Sequence, residues 1–318
     1  MRIKLWGVRG SLPTPVSGDS IAAKIRKALS LARPGDISSE ESIDSFIRSL
    51  PFSVQSTFGG NTTSIQVVTG SGDLIIIDCG SGIRMLGHEL MKGDFGEGRG
   101  TATVLLSHTH WDHIQGIPFF LPFYVKGNRF NFYSAFPDLK KRLDYQQAYT
   151  HFPVSFDFLP AKKEFFTIEA EEELYVNDTK VVNKLMPHPG AAYGYRIEDG
   201  GKVLAYTSDC EFNINEIDHI ENYRNFFSDA DVVVFDTQYT FEESIDKLEF
   251  GHSSASMAID IAGMFNVKRL ILFHHEPNYN DEKLESVLFN AKTYLSMNAG
   301  RVGDMRVDIA YEGMEIIL

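Results

Sequence analysis

Cysteine is scarce: Cys79 and Cys210 are the only two in 318 residues. Two thiols are too few for a disulfide framework. The expectation is a cytoplasmic chain in which both are small buried residues. Long apolar runs are missing as well. None approaches the roughly 20 residues that a membrane-crossing helix requires. The opening Met1-Arg-Ile-Lys-Leu-Trp-Gly-Val alternates like a strand and lacks the apolar stretch of a secretory leader. No membrane partner is expected. Basic residues are in deficit, with 30 Lys and Arg against 43 Asp and Glu, a net charge of −13. That balance opposes binding to long nucleic acids, which relies on basic side chains displacing counterions. A small phosphate ester is not excluded, because bound cations would supply local positive charge. Repeats and low-complexity tracts are absent. What remains is the composition of a globular protein, 43% hydrophobic and 23% charged.

Imidazole is concentrated in one place. Ser107-His-Thr-His-Trp-Asp-His-Ile-Gln-Gly-Ile-Pro places three histidines and an aspartate between His108 and His113. A packed core has no use for that density, whereas neutral imidazole and carboxylate suit zinc, iron and related ions. The preceding Thr101-Ala-Thr-Val-Leu-Leu reads as a buried strand. Four side chains from so short a loop crowd one ion but can serve two. His108 and His110 would hold one, Asp112 and His113 the other.

The rest of the chain divides as follows. A first strand ends in Gly7-Val-Arg-Gly-Ser-Leu-Pro. Residues 19–50 read as a surface insertion with helical patterns at Ile21–Ala32 and Glu41–Leu50, a solvated pair or else a partial lid. Strands are expected at Ser64–Thr69 and from Leu74, then a helix at Ile83–Met91. Residues 119–166 carry 15 of the 39 Phe, Tyr and Trp, where an even spread gives about 6. Arg129-Phe-Asn-Phe-Tyr alternates as a strand. Tyr149, His151 and Phe152 are candidates for a pocket rim, and Lys140-Lys-Arg142 for an exposed helix face. His88 and His219 sit in polar helical surroundings. Strands are expected again at Lys180–Met186, Lys202–Thr207, Asp231–Phe235 and Arg269–Phe273, with a helix at Ser254–Phe265.

Five apolar runs, those from Leu74, Thr101, Lys180, Lys202 and Arg269, stop at or just before an Asp or His. If they lie in two packed sheets, their ends share one rim and distant ligands converge there. Asp78-Cys-Gly-Ser-Gly, His108-Thr-His-Trp-Asp-His, Pro187-His-Pro-Gly, Thr207-Ser-Asp and Leu272-Phe-His-His follow in that order. Together they resemble the motifs of the metallo-β-lactamase fold hydrolases across nearly the whole chain. The resemblance implies an α/β fold, an αββα sandwich of two mixed sheets flanked by helices, formed by residues 1–318 as one domain. It also implies a dinuclear site. His108, His110 and His188 would hold one ion; Asp112, His113 and His274 the other; Asp209 would bridge them. Asp78 would brace the ligands through hydrogen bonds. Spacing cannot choose between His274 and His275. His274 directly follows the strand and is preferred, leaving His275 for substrate contact. Asp209 is preferred over Cys210 as the bridge.

Gly251-His-Ser-Ser resembles the Gly-His-Ser-Thr element of the phosphodiesterase branch, which includes ribonuclease Z. Phe58-Gly-Gly-Asn-Thr, Gly7-Val-Arg-Gly-Ser and Phe273-His-His-Glu-Pro resemble bacterial relatives of cyclic-phosphate phosphodiesterases. By this resemblance His252 would assist the leaving oxygen and Asp236 would orient it. The expected reaction is hydrolysis of a small phosphodiester, a cyclic nucleotide or cyclic phosphate foremost. Two divalent ions would share the attacking hydroxide, with zinc the first choice and manganese or iron the alternatives. Backbone N–H groups of Gly80-Ser-Gly82 are a further candidate anion contact. Two rival readings are an endonuclease for RNA 3′ ends and a non-hydrolytic di-metal redox or sensor module. An oligomer is compatible with all three.

Overall fold

A strand that is apolar at every position needs cover on both faces, and Leu74-Ile-Ile-Ile, Val232-Val-Val-Phe and Leu270-Ile-Leu-Phe are of that kind. The computed structural model, which describes residues 1–212 and 214–318 (without the side chains of 214–218), supplies it with two stacked sheets and outer helices. The first sheet contains β1 (Arg2–Gly7), β2 (Ser64–Val68), β3 (Leu74–Ile77), β4 (Thr101–Leu105), β5 (Arg129–Ser134) and β6 (Lys162–Thr167). The second contains β7 (Glu173–Val176), β8 (Thr179–Met186), β9 (Ala192–Asp199), β10 (Lys202–Tyr206), β11 (Val232–Asp236), β12 (Arg269–Phe273) and β13 (Arg306–Ile309). The chain then returns, and β14 (Glu315–Ile317) pairs with β1 at the edge of the first sheet. Strand orders are β14-β1-β2-β3-β4-β5-β6 and β13-β12-β11-β10-β9-β8-β7.

Both sheets are mixed in the same way. Antiparallel pairs run from β14 to β3 and from β7 to β10. Parallel pairs then run from β3 to β6 and from β10 to β13. Alternate side chains sort into layers. Ile75, Ile77, Leu204, Tyr206, Val232, Val234, Ile271 and Phe273 meet between the sheets. Ile76 and Val104 face outward under the helix Ile83–Leu90 and a phenylalanine cluster. Ala205, Val233, Leu270 and Leu272 face the helices Ala255–Met264 and Asp281–Met297.

That phenylalanine cluster accounts for much of the aromatic excess. Phe120, Phe123, Phe130, Phe132 and Phe156 are buried, with Phe123 and Phe130 edge-on at 4.6 Å. Tyr149 instead stands exposed. With Phe152 and Phe158 it lines a shallow surface hollow that includes none of the clustered histidines. His151 is exposed and packs on Tyr145. The insertion forms helices Gly18–Leu31 and Glu40–Ser49, capped by Ser17 and Ser39. It is tied to the body by Lys24, whose ammonium reaches the carbonyl of Ser56 at 2.7 Å and Asp281 at 2.5 Å. No helix among the described residues is long and apolar enough to cross a membrane.

Candidate metal centre

In parallel sheets, groups placed just past the carboxyl ends of the strands can converge on one crevice. Here β3 ends at Asp78, β4 at Ser107 and His108, β10 at Ser208 and Asp209, β11 at Asp236 and β12 at His274. β8 adds His188 from the same sheet. Asp78, Ser208 and His274 have φ of 57°, 58° and 63°. That left-handed geometry costs a non-glycine residue about 1–3 kcal/mol. It turns each chain sharply at the strand end, where an ordinary extended residue would carry it onward.

The side chains form two groups that share one carboxylate. Ligand atoms of His108, His110, His188 and Asp209 lie within 4.8 Å of one another, and so do those of Asp112, His113, Asp209 and His274. In the first, Asp209 Oδ2 is 3.6 Å from His108 Nε2 and 4.0 Å from His188 Nε2. His188 Nε2 is 3.3 Å from His110 Nδ1. In the second, Asp209 Oδ1 is 3.0 Å from His113 Nε2 and 3.2 Å from His274 Nε2. Asp112 Oδ2 is 3.4 Å from His113 Nε2 and 3.1 Å from His274 Nε2. Asp209 therefore offers one oxygen to each group.

Supporting hydrogen bonds aim the rings. Asp78, fully buried, receives His113 Nδ1–H at 2.8 Å, the hydroxyls of Ser107 and Tyr206 at 2.7 Å each, and Ser107 N–H at 2.9 Å. In the neutral ring His113 Nε2 is thereby the nitrogen left with a lone pair. His188 Nδ1 donates to the carbonyl of Gly251 at 2.9 Å, which frees its Nε2 in the same way. Gly251 has φ 91°, and a Cβ there would lie 2.3 Å from the His188 ring. A Cβ on Gly10 would lie 2.5 Å from His274 Nδ1. Asp112 Oδ2 accepts the Ser11 N–H at 2.7 Å.

The residues fit a pair of cations on two counts. His108 Nε2, His113 Nε2 and Asp209 Oδ1 are buried and make no hydrogen bond. Asp78, Asp112, Asp209 and Asp236 are buried together, and the described residues give them no Lys or Arg counter-charge, only imidazoles. Uncompensated buried carboxylates are costly and call for cations. The titrations agree. Burial, then His113, holds His108 well below its ordinary 6.5, and burial also lowers His110 and His188. Those three are neutral donors. For His113 and His274, burial acts downward, but Asp209 and Asp112 outweigh it. His113 ends well above 6.5 and His274 near 9. Their protons occupy the role that a cation would take.

A third group, Asp209, Asp236, His252 and His274, adjoins these two. His252 Nδ1 donates to Asp236 Oδ2 at 2.8 Å, and its ring stacks on His274 at 5.0 Å between centroids. Asp236 is itself fixed by the N–H groups of Cys210 and Gln238, at 3.0 and 3.1 Å. That use of its oxygens makes it a support for His252.

Three expectations are corrected. His275 is buried outside the ligand groups: its Nε2 donates to the carbonyl of Ala310 at 2.8 Å, and burial beside Arg9 lowers it to about 3. The backbone N–H groups of Gly80, Ser81 and Gly82 are not free for an anion. They donate to Thr63 O, Thr62 Oγ1 and Thr62 O. Arg142 is not a purely solvent-facing cation; it crosses the Phe136 ring and donates to Thr109 Oγ1 at 3.1 Å, between the two motif histidines. Residues that the sequence reading missed are Ser107, Tyr206, Ser11 and Arg9. Arg9 is buried and donates to the carbonyls of Gly59, Glu276 and Tyr279, pinning the loop that follows β12. The available signal was a charged residue inside the glycine-bounded Gly7-Val-Arg-Gly stretch at a strand end. His88 and His219 are exposed, and both cysteines are buried and free.

Residues 74–275 match the beta-lactamase superfamily domain. A ribonuclease Z of Picrophilus torridus is 26% identical over 256 residues, covering 66% of this chain and 78% of that protein. Zinc-bound PqqB from Methylobacterium extorquens superposes with a TM-score of 0.64 at 16% identity, covering all of both chains. Unliganded yeast PDE1 superposes with a TM-score of 0.66 at 13% identity, covering 100% of this chain and 99% of that one. At such identities the two structures speak for the fold.

Proposed function

The chain belongs to the beta-lactamase superfamily, and from that premise we propose that its rim cluster is a two-ion centre hydrolysing a small phosphodiester, a cyclic nucleotide or cyclic phosphate foremost. The observation that carries this is the pair of ligand groups sharing Asp209, flanked by a carboxylate-held histidine outside both sets. His108, His110 and His188 would hold one ion and Asp112, His113 and His274 the other, with Asp209 between them. Such ions, zinc first by ligand type, supply an activated water and neutralise charge developing on the phosphoryl oxygens. Asp78 keeps His113 in the tautomer whose Nε2 is free. Asp236 accepts the Nδ1 proton of His252, so an imidazolium there delivers its Nε2 proton to the departing alkoxide. His110 is exposed where His108 and His113 are buried, so the substrate enters from the His110 side. The two buried free cysteines favour the cytoplasm.

Cleavage of RNA 3′ ends is the second reading, favoured by the 26% identity to a ribonuclease Z and opposed by the net charge of −13. A panel of cyclic nucleotides, cyclic ribose phosphates, linear diesters and a tRNA precursor separates the two. Preference for the cyclic esters supports the leading reading, and preference for the precursor supports the second. Cleavage of none, by metal-loaded protein, overturns both.

A further inference from the structure

A cavity of about 310 Å³ lies between the first helix of the insertion, Gly18–Leu31, and the body of the chain. It includes none of the residues of the metal centre. Arg9 forms part of its wall and is only 3% exposed. A guanidinium has five N–H donors. Nε and Nη1 give three of them to the carbonyls of Gly59, Glu276 and Tyr279. Nη2 makes no hydrogen bond among the described residues, yet it is not one of the unpartnered atoms sealed from solvent. Its two N–H groups therefore open onto the cavity.

The charge of Arg9 is unpaired as well. The carboxylates that act on it from nearby are Asp281, Glu312 and Glu276, and every oxygen of the three is engaged elsewhere. Asp281 accepts from Phe58 N–H, Thr57 and Lys24. Glu312 accepts from the backbone and side-chain amides of Asn61. Glu276 accepts from Gln238 and Asn278. A buried cation with free donors and no contacting carboxylate calls for an anion. The cavity holds further positive charge. Lys24 is used up on Asp281 and on the carbonyls of Ser53 and Ser56. Lys27 stands exposed at the rim, with no ion-pair partner among the described residues. With Lys24 and Asp281 cancelling, Arg9 and Lys27 face only the exposed Glu282, a positive balance in a chain of net charge −13. The remaining wall is largely carbon, from Pro15, Val16, Ala23, Val54 and Pro277. We infer that this cavity binds a small organic anion, its oxyanion head on Arg9 Nη2 and Lys27 and its apolar body along that wall. Its volume is at the lower end of the range for small-molecule sites. The head group is a phosphate ester or a carboxylate, the two oxyanions that guanidinium groups recognise. The site stands whether or not the metal centre cleaves a phosphodiester.

Crystals of the full zinc-loaded chain, grown with 4-bromophenyl phosphate, 4-bromobenzoate or neutral 4-bromobenzyl alcohol, test this by bromine anomalous scattering. At least one anion should give a peak in the cavity with its head within hydrogen-bond distance of Arg9 Nη2, and the alcohol none. Whichever anion binds identifies the head group. Arg9 itself holds three carbonyls, so Lys27→Glu is the variant for solution work. Its circular dichroism and zinc content should match the wild type. Calorimetric titration of both zinc-loaded proteins, in which any binding at the metal centre is common to the two, should show the cavity site weakened about tenfold or more. No peak in the cavity with either anion, whatever fills the metal centre, overturns the inference. So does a head turned away from Arg9, an alcohol that binds as well as the anions, or unchanged affinity in Lys27→Glu.

Discussion

Replacing Asp78 by Asn changes one atom type at the most heavily bonded carboxylate of the centre. The Oδ1 position still accepts the Ser107 N–H. The Oδ2 position, which takes the Ser107 and Tyr206 hydroxyls and His113 Nδ1–H, becomes an amide that only donates. Both hydroxyls can turn and accept. His113 can accept only by moving its proton to Nε2, the nitrogen 3.0 Å from Asp209. Three charge-assisted bonds become neutral ones, about 1.5–6 kcal/mol in total, since bonds to charged groups contribute about 1.5–3 kcal/mol and neutral ones about 1. That is within the stability of an ordinary domain, so the variant folds but melts earlier. An ion taken up by His113 would have to displace the wrong tautomer. Losing such a support costs about 10–100-fold in metal affinity. Competition with a chromophoric chelator measures it. The His113 ion should weaken by that factor, and the His108, His110, His188 ion much less. Wild-type affinity for both ions in Asp78→Asn would refute the tautomer argument.

Asp209→Ala removes the only group shared by both ligand sets, so it should bind neither ion firmly and should lose cleavage of an aryl phosphodiester. Metal analysis after desalting checks the first point. His252→Ala leaves both sets intact and should keep its metal while losing about 10²–10⁴-fold in kcat, the range for general acid–base residues; full turnover would exclude the proposed proton transfer. Metal uptake at pH 7 should release about two protons per chain, from His113 and from His274, which stands near 9. Calorimetry in buffers of different ionisation enthalpy counts them. In ion-free protein the raised His274 stabilises the fold fully below its ordinary 6.5. That contribution, about 3 kcal/mol, is lost as pH rises through 9. Chelated protein should therefore melt earlier at pH 9 than at pH 6.5.

The sandwich was legible through the family resemblance, and the gathering of acidic and imidazole groups because five apolar runs stop at or just before an Asp or His. Alternation within Leu74–Ile77 and Val232–Asp236 could not show which face met the other sheet, since both faces are covered. β9, Ala-Tyr-Gly-Tyr-Arg-Ile-Glu-Asp, was illegible because its half-covered face mixes charge with aromatics. His274 and His275 differ by backbone alone. A φ of 63° turns the first into the cluster. The second continues a parallel bridge with Arg9 and points inward. Ser107 and Tyr206 were hidden because a hydroxyl on a strand gives no sign of its acceptor. Within the aromatic segment, buried Phe123 lies in the apolar Leu121-Pro-Phe-Tyr-Val and exposed Tyr149 in the polar Gln146-Gln-Ala-Tyr-Thr-His, a split that a count over the whole segment blurs.

The central claim is that two cations sit side by side on one shared carboxylate. Anomalous diffraction from crystals of zinc-loaded protein tests it directly. The account predicts two peaks about 3.5–4 Å apart, one among His108, His110 and His188, the other among Asp112, His113 and His274, with Asp209 touching both. A single peak, or two peaks that Asp209 does not join, would contradict it.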